Sequence, residues 1–82
     1  MLFGKRDPIQ VTVVVHGPAT RLVKAGTYEL RSGDKIKALL ERAGLSGSAP
    51  GLSILIDGER VDLTRKLTGG ETVTVLQMIA GG

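Results

Sequence analysis

Only one stretch of this 82-residue chain carries helical periodicity, and it lies between segments that alternate with a period of two. Ile36, Leu39, Leu40 and Ala43 recur at the i, i+3, i+4, i+7 spacing that lines one face of a helix. Lys35, Lys37, Glu41 and Arg42 fall largely on the remaining face. Asp34, after the turn Ser32-Gly33, is placed to cap the helix, and Gly44 stands where helices are commonly closed. The spacing predicts a helix over residues 34–43. A lone amphipathic helix cannot bury its apolar face against itself, so the rest of the chain must supply a covering layer.

The flanking segments have the pattern of that layer. Ile9, Val11, Val13 and Val15 alternate with Gln10, Thr12, Val14 and His16, which predicts a strand. Val14 breaks strict alternation, as expected if the second face is also partly covered. Gly17-Pro18 stops this strand. Residues 18–25 admit a short helical turn, with Pro18 at its start and Gly26 as its cap, or a hairpin return. Tyr28 and Leu30 then alternate with Thr27, Glu29 and Arg31 as a second strand. Beyond the helix, Leu52, Ile54 and Ile56 define a third. Asp57-Gly58 is a preferred pair for a two-residue hairpin turn, and Glu59 to Val61 forms a short fourth strand. Leu63 and Leu67 punctuate a connection that turns at Gly69-Gly70-Glu71. Thr72 to Gln77 is the last strand, with Val73 and Val75 on one face and Leu76 on the other. The expected class is α+β: one main helix across a mixed sheet of four to five strands. One domain is expected over residues 9–77, with a flexible lead-in at 1–8 and an extended tail at 78–82.

Composition excludes several kinds of function. Leu, Ile and Val make up 24 residues, enough for an aliphatic core, whereas Phe3 and Tyr28 are the only aromatics. The net charge of +3 is uneven, since residues 1–42 hold eight Lys/Arg against four Asp/Glu. That half suits an acidic partner or an ordinary solvated surface. With so few stacking aromatics, single-stranded nucleic acid is a poor fit. There is no cysteine, hence no disulfide, thiolate metal site or cysteine nucleophile. No signal-peptide or membrane-spanning pattern is present, so a cytoplasmic location is expected.

Catalysis within the chain finds little support. His16 is the single histidine and reads as a strand-end residue. No Asp/His group has metal-ligand spacing, and neither glycine pair precedes a helix as a phosphate loop would. No catalytic residue, metal or bound cofactor is expected. The carboxyl terminus is different. At average glycine usage, a terminal pair arises by chance in roughly one chain in two hundred. Here it follows the last strand almost directly, and no charged residue comes after Glu71. Met78-Ile79-Ala80-Gly81-Gly82 is a short neutral strip ending in a carboxylate. An enzyme that activates such a carboxylate has to thread the tail through a narrow channel to its nucleotide, and residues without Cβ fit there.

Gln77-Met78-Ile79-Ala80-Gly81-Gly82 resembles the ending of the thiamine-pathway sulfur carriers (ThiS-like). The run from Val13 through Gly17, Pro18-Ala19, Gly26, Tyr28-Glu29-Leu30 and Gly33-Asp34 resembles the molybdopterin-pathway carriers (MoaD-like), as do Asp57-Gly58-Glu59 and Gly69-Gly70-Glu71-Thr72-Val73. The resemblance covers about residues 9–82 and implies a ubiquitin-like β-grasp fold. It implies that an activating enzyme of the ubiquitin type adenylates Gly82 with ATP. A sulfur donor protein would then convert the adenylate to a thiocarboxylate, which an acceptor synthase would use. Gly82 would be the attachment site, and Gly81, Ala80, Ile79 and Met78 the tail that is recognised. The ending lacks the prolines of the molybdopterin type, and the body is longer than the thiamine type. The pathway stays open among those two, cysteine or methionine synthesis, and tRNA thiolation. A ubiquitin-like modifier joined through Gly82 to a lysine, and a β-grasp binding module with incidental glycines, are the alternatives.

Overall fold

A computed structural model describes residues 6–47 and 51–77. The elements are β1 (Pro8–His16), β2 (Gly26–Arg31), α1 (Ile36–Arg42), β3 (Leu52–Ile56), β4 (Glu59–Val61) and β5 (Thr72–Gln77). A 3-10 turn at Gly17–Arg21 separates β1 from β2. The strands form one mixed sheet in the order β2-β1-β5-β3-β4. β1 and β5 are parallel, with Val13 opposite Val73 and Val15 opposite Val75. The other neighbours are antiparallel. A parallel pair cannot be closed by a tight turn. Here the connection between its strands contains β2, α1 and the β3–β4 hairpin.

Alternation explains the core. Val11, Val13, Ile54, Ile56, Val73 and Val75 occupy one face of the sheet and are buried with Ile36, Leu39 and Leu40 of α1. Leu67 also enters this core and is fully buried, so the residue that seemed to punctuate a connection is a plug under the sheet. Leu63, four positions earlier, is 45% exposed. The hairpin turn between β3 and β4 has positive φ at both Asp57 and Gly58, as a tight two-residue reversal requires.

The structure differs from the sequence-based expectations at three places. The first is residues 18–25, where the 3-10 turn resolves the two alternatives. Its C-cap is Leu22, and Gly26 opens β2 opposite Val13 instead of closing a helix. The second is the start of α1. Asp34 is not its cap: Lys35 occupies that position and makes no side-chain capping bond. The amides of Ile36 and Lys37 instead donate to the carbonyls of Arg65 and Leu63, at 2.9 and 3.0 Å. A helix whose first N–H groups are satisfied by a neighbouring segment needs no capping side chain. The far end of α1 closes as expected, with Gly44 N–H donating to Glu41 and Leu45 N–H to Leu40. The third is the lead-in: β1 starts at Pro8, Asp7 accepts the Ser32 amide at 2.8 Å, and Arg6 pairs with Asp34 at 2.6 Å. Residues 1–5 lie outside the described residues.

Candidate functional site

The residues singled out for chemistry, Met78, Ile79, Ala80, Gly81 and Gly82, lie outside the described residues. The structure does describe the base from which they continue. β5 is the central strand of five, with β1 on one side and β3 on the other up to its last residues. Leu76 pairs with His16 of β1 and with Ser53 of β3, and Gln77 pairs with Leu52. Backbone pairing on both sides fixes the direction in which the chain leaves the sheet. The 3-10 turn packs beside this end of β5, with Ala19 fully buried.

The sheet face away from α1 surrounds the same exit. Residues directly opposite one another share a face. Val14 faces Thr74, Leu55 faces Thr74 and Arg60, and Leu76 lies between His16 and Ser53. Val14, Leu55 and Leu76 are half-buried, while His16 and Arg60 are exposed. The result is a small apolar centre with cationic or polar margins, next to the strand that leads to the tail. Sequence reasoning did not assemble this patch. Its signal was present, since Val14, Leu55 and Leu76 are the apolar residues at the off-beat positions of three strands that turn out to be neighbours.

The strongest electrostatic features lie at the opposite end of the sheet. The Arg31 amide, 2.9 Å from Asp34 Oδ2, holds that carboxyl below its ordinary value against a desolvation cost, and the Arg6 guanidinium adds to it. Burial raises the Glu71 carboxyl, but the Thr68 and Gly69 amides at 2.8 and 2.7 Å and the Thr68 hydroxyl outweigh it and leave the group lowered. Both are turn-stabilising carboxylates. His16 sits at the end of β1, far from either. Among the described residues, no three His, Asp or Glu side chains come together as metal ligands. No described helix is long and apolar enough to cross a membrane. What the described part can do chemically is present something: it ends a rigid central strand beside an apolar face.

No protein-family model matches the chain, and no curated protein is a significant match to it in sequence. Solved structures do match in shape. The crystal structure of SAMP1 from Haloferax volcanii is 11% identical, with a TM-score of 0.65 over 89% of this chain and 99% of that one. A crystal structure of small archaeal modifier protein 1 from the same organism is 9% identical, with a TM-score of 0.64 over 87% and 99%. Likeness over nearly the whole of both chains establishes the architecture: this protein has the ubiquitin-like β-grasp fold.

Proposed function

We propose that this protein is a sulfur carrier that acts through the carboxylate of Gly82. The observation that supports the reading best is the placement of β5. The central strand is paired on both sides as far as Leu76 and with β3 as far as Gln77, and the sequence then supplies five uncharged residues ending in Gly81-Gly82. A carboxylate is a poor electrophile. Attack of its oxygen on the α-phosphorus of ATP expels pyrophosphate and leaves an acyl-adenylate. The outer sulfur of a donor protein's persulfide then displaces AMP to form an acyl disulfide, and a second thiol cleaves its S–S bond, leaving the thiocarboxylate on this chain and a disulfide on the donor side. The activating enzyme supplies ATP and the catalytic groups, and this chain supplies position. Gly81 and Gly82 pass where a Cβ would clash. Ala80, Ile79 and Met78 lie against the channel mouth, and the Val14, Leu55 and Leu76 patch rests on the enzyme surface beside it.

A second reading has its own support, because the solved structures of like shape are of a protein named a modifier. In that reading the same activated carboxylate is joined to a lysine of another protein. The intact mass of protein recovered from its own cells separates the two. Replacement of one terminal oxygen by sulfur supports the carrier, and covalent adducts on other proteins support the modifier. Gly82→Ala is expected to abolish adenylation, read by ATP–pyrophosphate exchange with the cognate activating enzyme, at unchanged thermal stability. Retained exchange would refute both.

A further inference from the structure

A second surface with its own chemistry lies where the segment before β5 runs along the start of α1. Residues 63–67 run alongside 33–37. Gly33 N–H donates to Leu67, Leu67 N–H to Asp34, Ile36 N–H to Arg65 and Lys37 N–H to Leu63, all at 2.8–3.0 Å. Lys35 and Lys66 stand opposite one another in an isolated antiparallel bridge. This ladder gathers Lys35, Lys37, Arg65 and Lys66, all exposed, into one ridge. The carboxylate within it, Asp34, is taken by Arg6 in the one ion pair among the described residues. Glu41 lines a hollow with Lys35 and Lys37, and Asp62 one with Arg65, but neither carboxylate comes within ion-pair distance of the four cations. Like charges facing each other across a bridge repel. The arrangement is unfavourable for the isolated fold and becomes favourable when an anion arrives.

An apolar feature adjoins the ridge. Leu63 is the one exposed large apolar residue among the described residues, at 45% exposure. It borders a groove of about 580 Å³ between α1 and the β3–β4 hairpin, whose lining includes Leu40, Ile54 and Val61, with Lys37 and Arg60 but also Glu41 and Asp62 at its margin, so that the excess of positive charge lies on the ridge and not in the groove. Cations beside an open apolar groove fit carboxylates interspersed with aliphatic side chains. They fit a single-stranded nucleic acid poorly, because no aromatic side chain among the described residues lies on this surface for a base to stack on.

We propose that this ridge and groove form a docking surface for an acidic segment of a partner protein, with carboxylates on Lys35, Lys37, Arg65 and Lys66 and an aliphatic side chain against Leu63. The ridge lies beside the start of α1, and the groove continues along the β3–β4 hairpin to Leu52, which pairs with Gln77 at the end of β5. The inference rests on charge and geometry and is independent of the sulfur reading.

The test is a titration of the isotopically labelled full chain, followed by amide chemical shifts, with a twelve-residue peptide of alternating glutamate and leucine. The expected result is saturable shifts confined to residues 33–37, 60–67 and the exposed side of α1, with affinity falling as salt rises. The double charge reversal Lys35→Glu/Lys66→Glu is expected to weaken binding about tenfold or more. A second variant, Leu63→Ser, is expected to weaken the peptide while leaving a polyglutamate control unchanged. Circular dichroism checks that both variants are folded, and a variant that fails to fold is replaced by Lys37→Glu/Arg65→Glu. Absence of saturable shifts, or equal affinity in the reversed variant, would overturn the proposal. Tighter binding of a single-stranded oligonucleotide of equal charge would overturn it in favour of a nucleic-acid surface.

Discussion

The two ends of the sheet are built by different means. Where α1 begins and β5 enters, two carboxylates hold the turns: Asp34 accepts from the Arg31 amide and Arg6, and Glu71 accepts from Thr68 and Gly69. Toward the end where β5 leaves, two side-chain bonds run from neutral hydroxyls to backbone carbonyls, Thr20 to Gly17 at 2.9 Å and Tyr28 to Lys24 at 2.6 Å. Charge-assisted bonds are roughly twice as strong as neutral ones, and they titrate. The entry end thus carries stability and its pH dependence. At the exit end the described strands are set by their register, with Leu76 opposite His16 and Ser53.

Substitutions can test that division. The largest effect is expected from Leu67→Ala at the entry end, which empties a fully buried site and should cost about 2–5 kcal/mol in denaturant unfolding. Adenylation per folded molecule should not change, and a lowered kcat/KM in the folded variant would break the separation. Gly69→Ala should cost about 1–3 kcal/mol. Gly69 has φ +113°, and a Cβ there would lie 3.0 Å from Ile9 Cγ2. Leu76→Ser, at the exit end, should change stability by no more than about 1 kcal/mol, because the side chain is only half-buried on the open face. Its KM as a substrate of the activating enzyme should rise several-fold, and an unchanged KM would remove the open face from the proposed contact.

The smallest effect is on the acid limb of stability. Asp34 and Glu71 are both lowered in the folded state, from ordinary values of 3.8 and 4.5. The folded chain therefore binds these protons less tightly than the unfolded chain does. Their contribution is complete above those ordinary values and is lost as pH falls through the lower folded ones. Glu71→Gln should make the fall in unfolding free energy below about pH 4.5 shallower. An acid limb of the same steepness would show that the entry turn does not depend on that charge.

How much of this was legible in the sequence follows the same division. β3, β4 and β5 are where period-two alternation and the Asp57-Gly58 turn place them, because each is a local pattern with one buried face. The buried face of α1 was equally readable from Ile36, Leu39, Leu40 and Ala43. Asp34 was misassigned as a cap because its local context, Ser-Gly-Asp before a helix, is right for one. The partners that make capping unnecessary, Leu63 and Arg65, are about 30 positions away in the chain. Leu67 looked like a connector for the same reason: nothing local says that the segment folds under the sheet. Leu55 and Leu76 were visible as single off-beat residues, but only the order β1-β5-β3 makes them neighbours. The candidate site itself, residues 78–82, rests on the sequence, and the fold contributes the strand that leads to it.

The central position of β5 has a consequence for how the molecule is made. Its two neighbours, β1 and β3, touch only through it. A chain growing from its amino terminus would complete β1, β2, α1, β3 and β4 and still hold two separate half-sheets, each with an unpaired edge. Closure waits for the last strand, and contacts of such long sequence separation form slowly. The domain therefore cannot finish folding on the ribosome while residues 72–77 are in the exit tunnel. A prematurely stopped chain would expose those edges and be open to proteolysis, so the molecules that persist in a cell would be those whose synthesis had already passed the final strand.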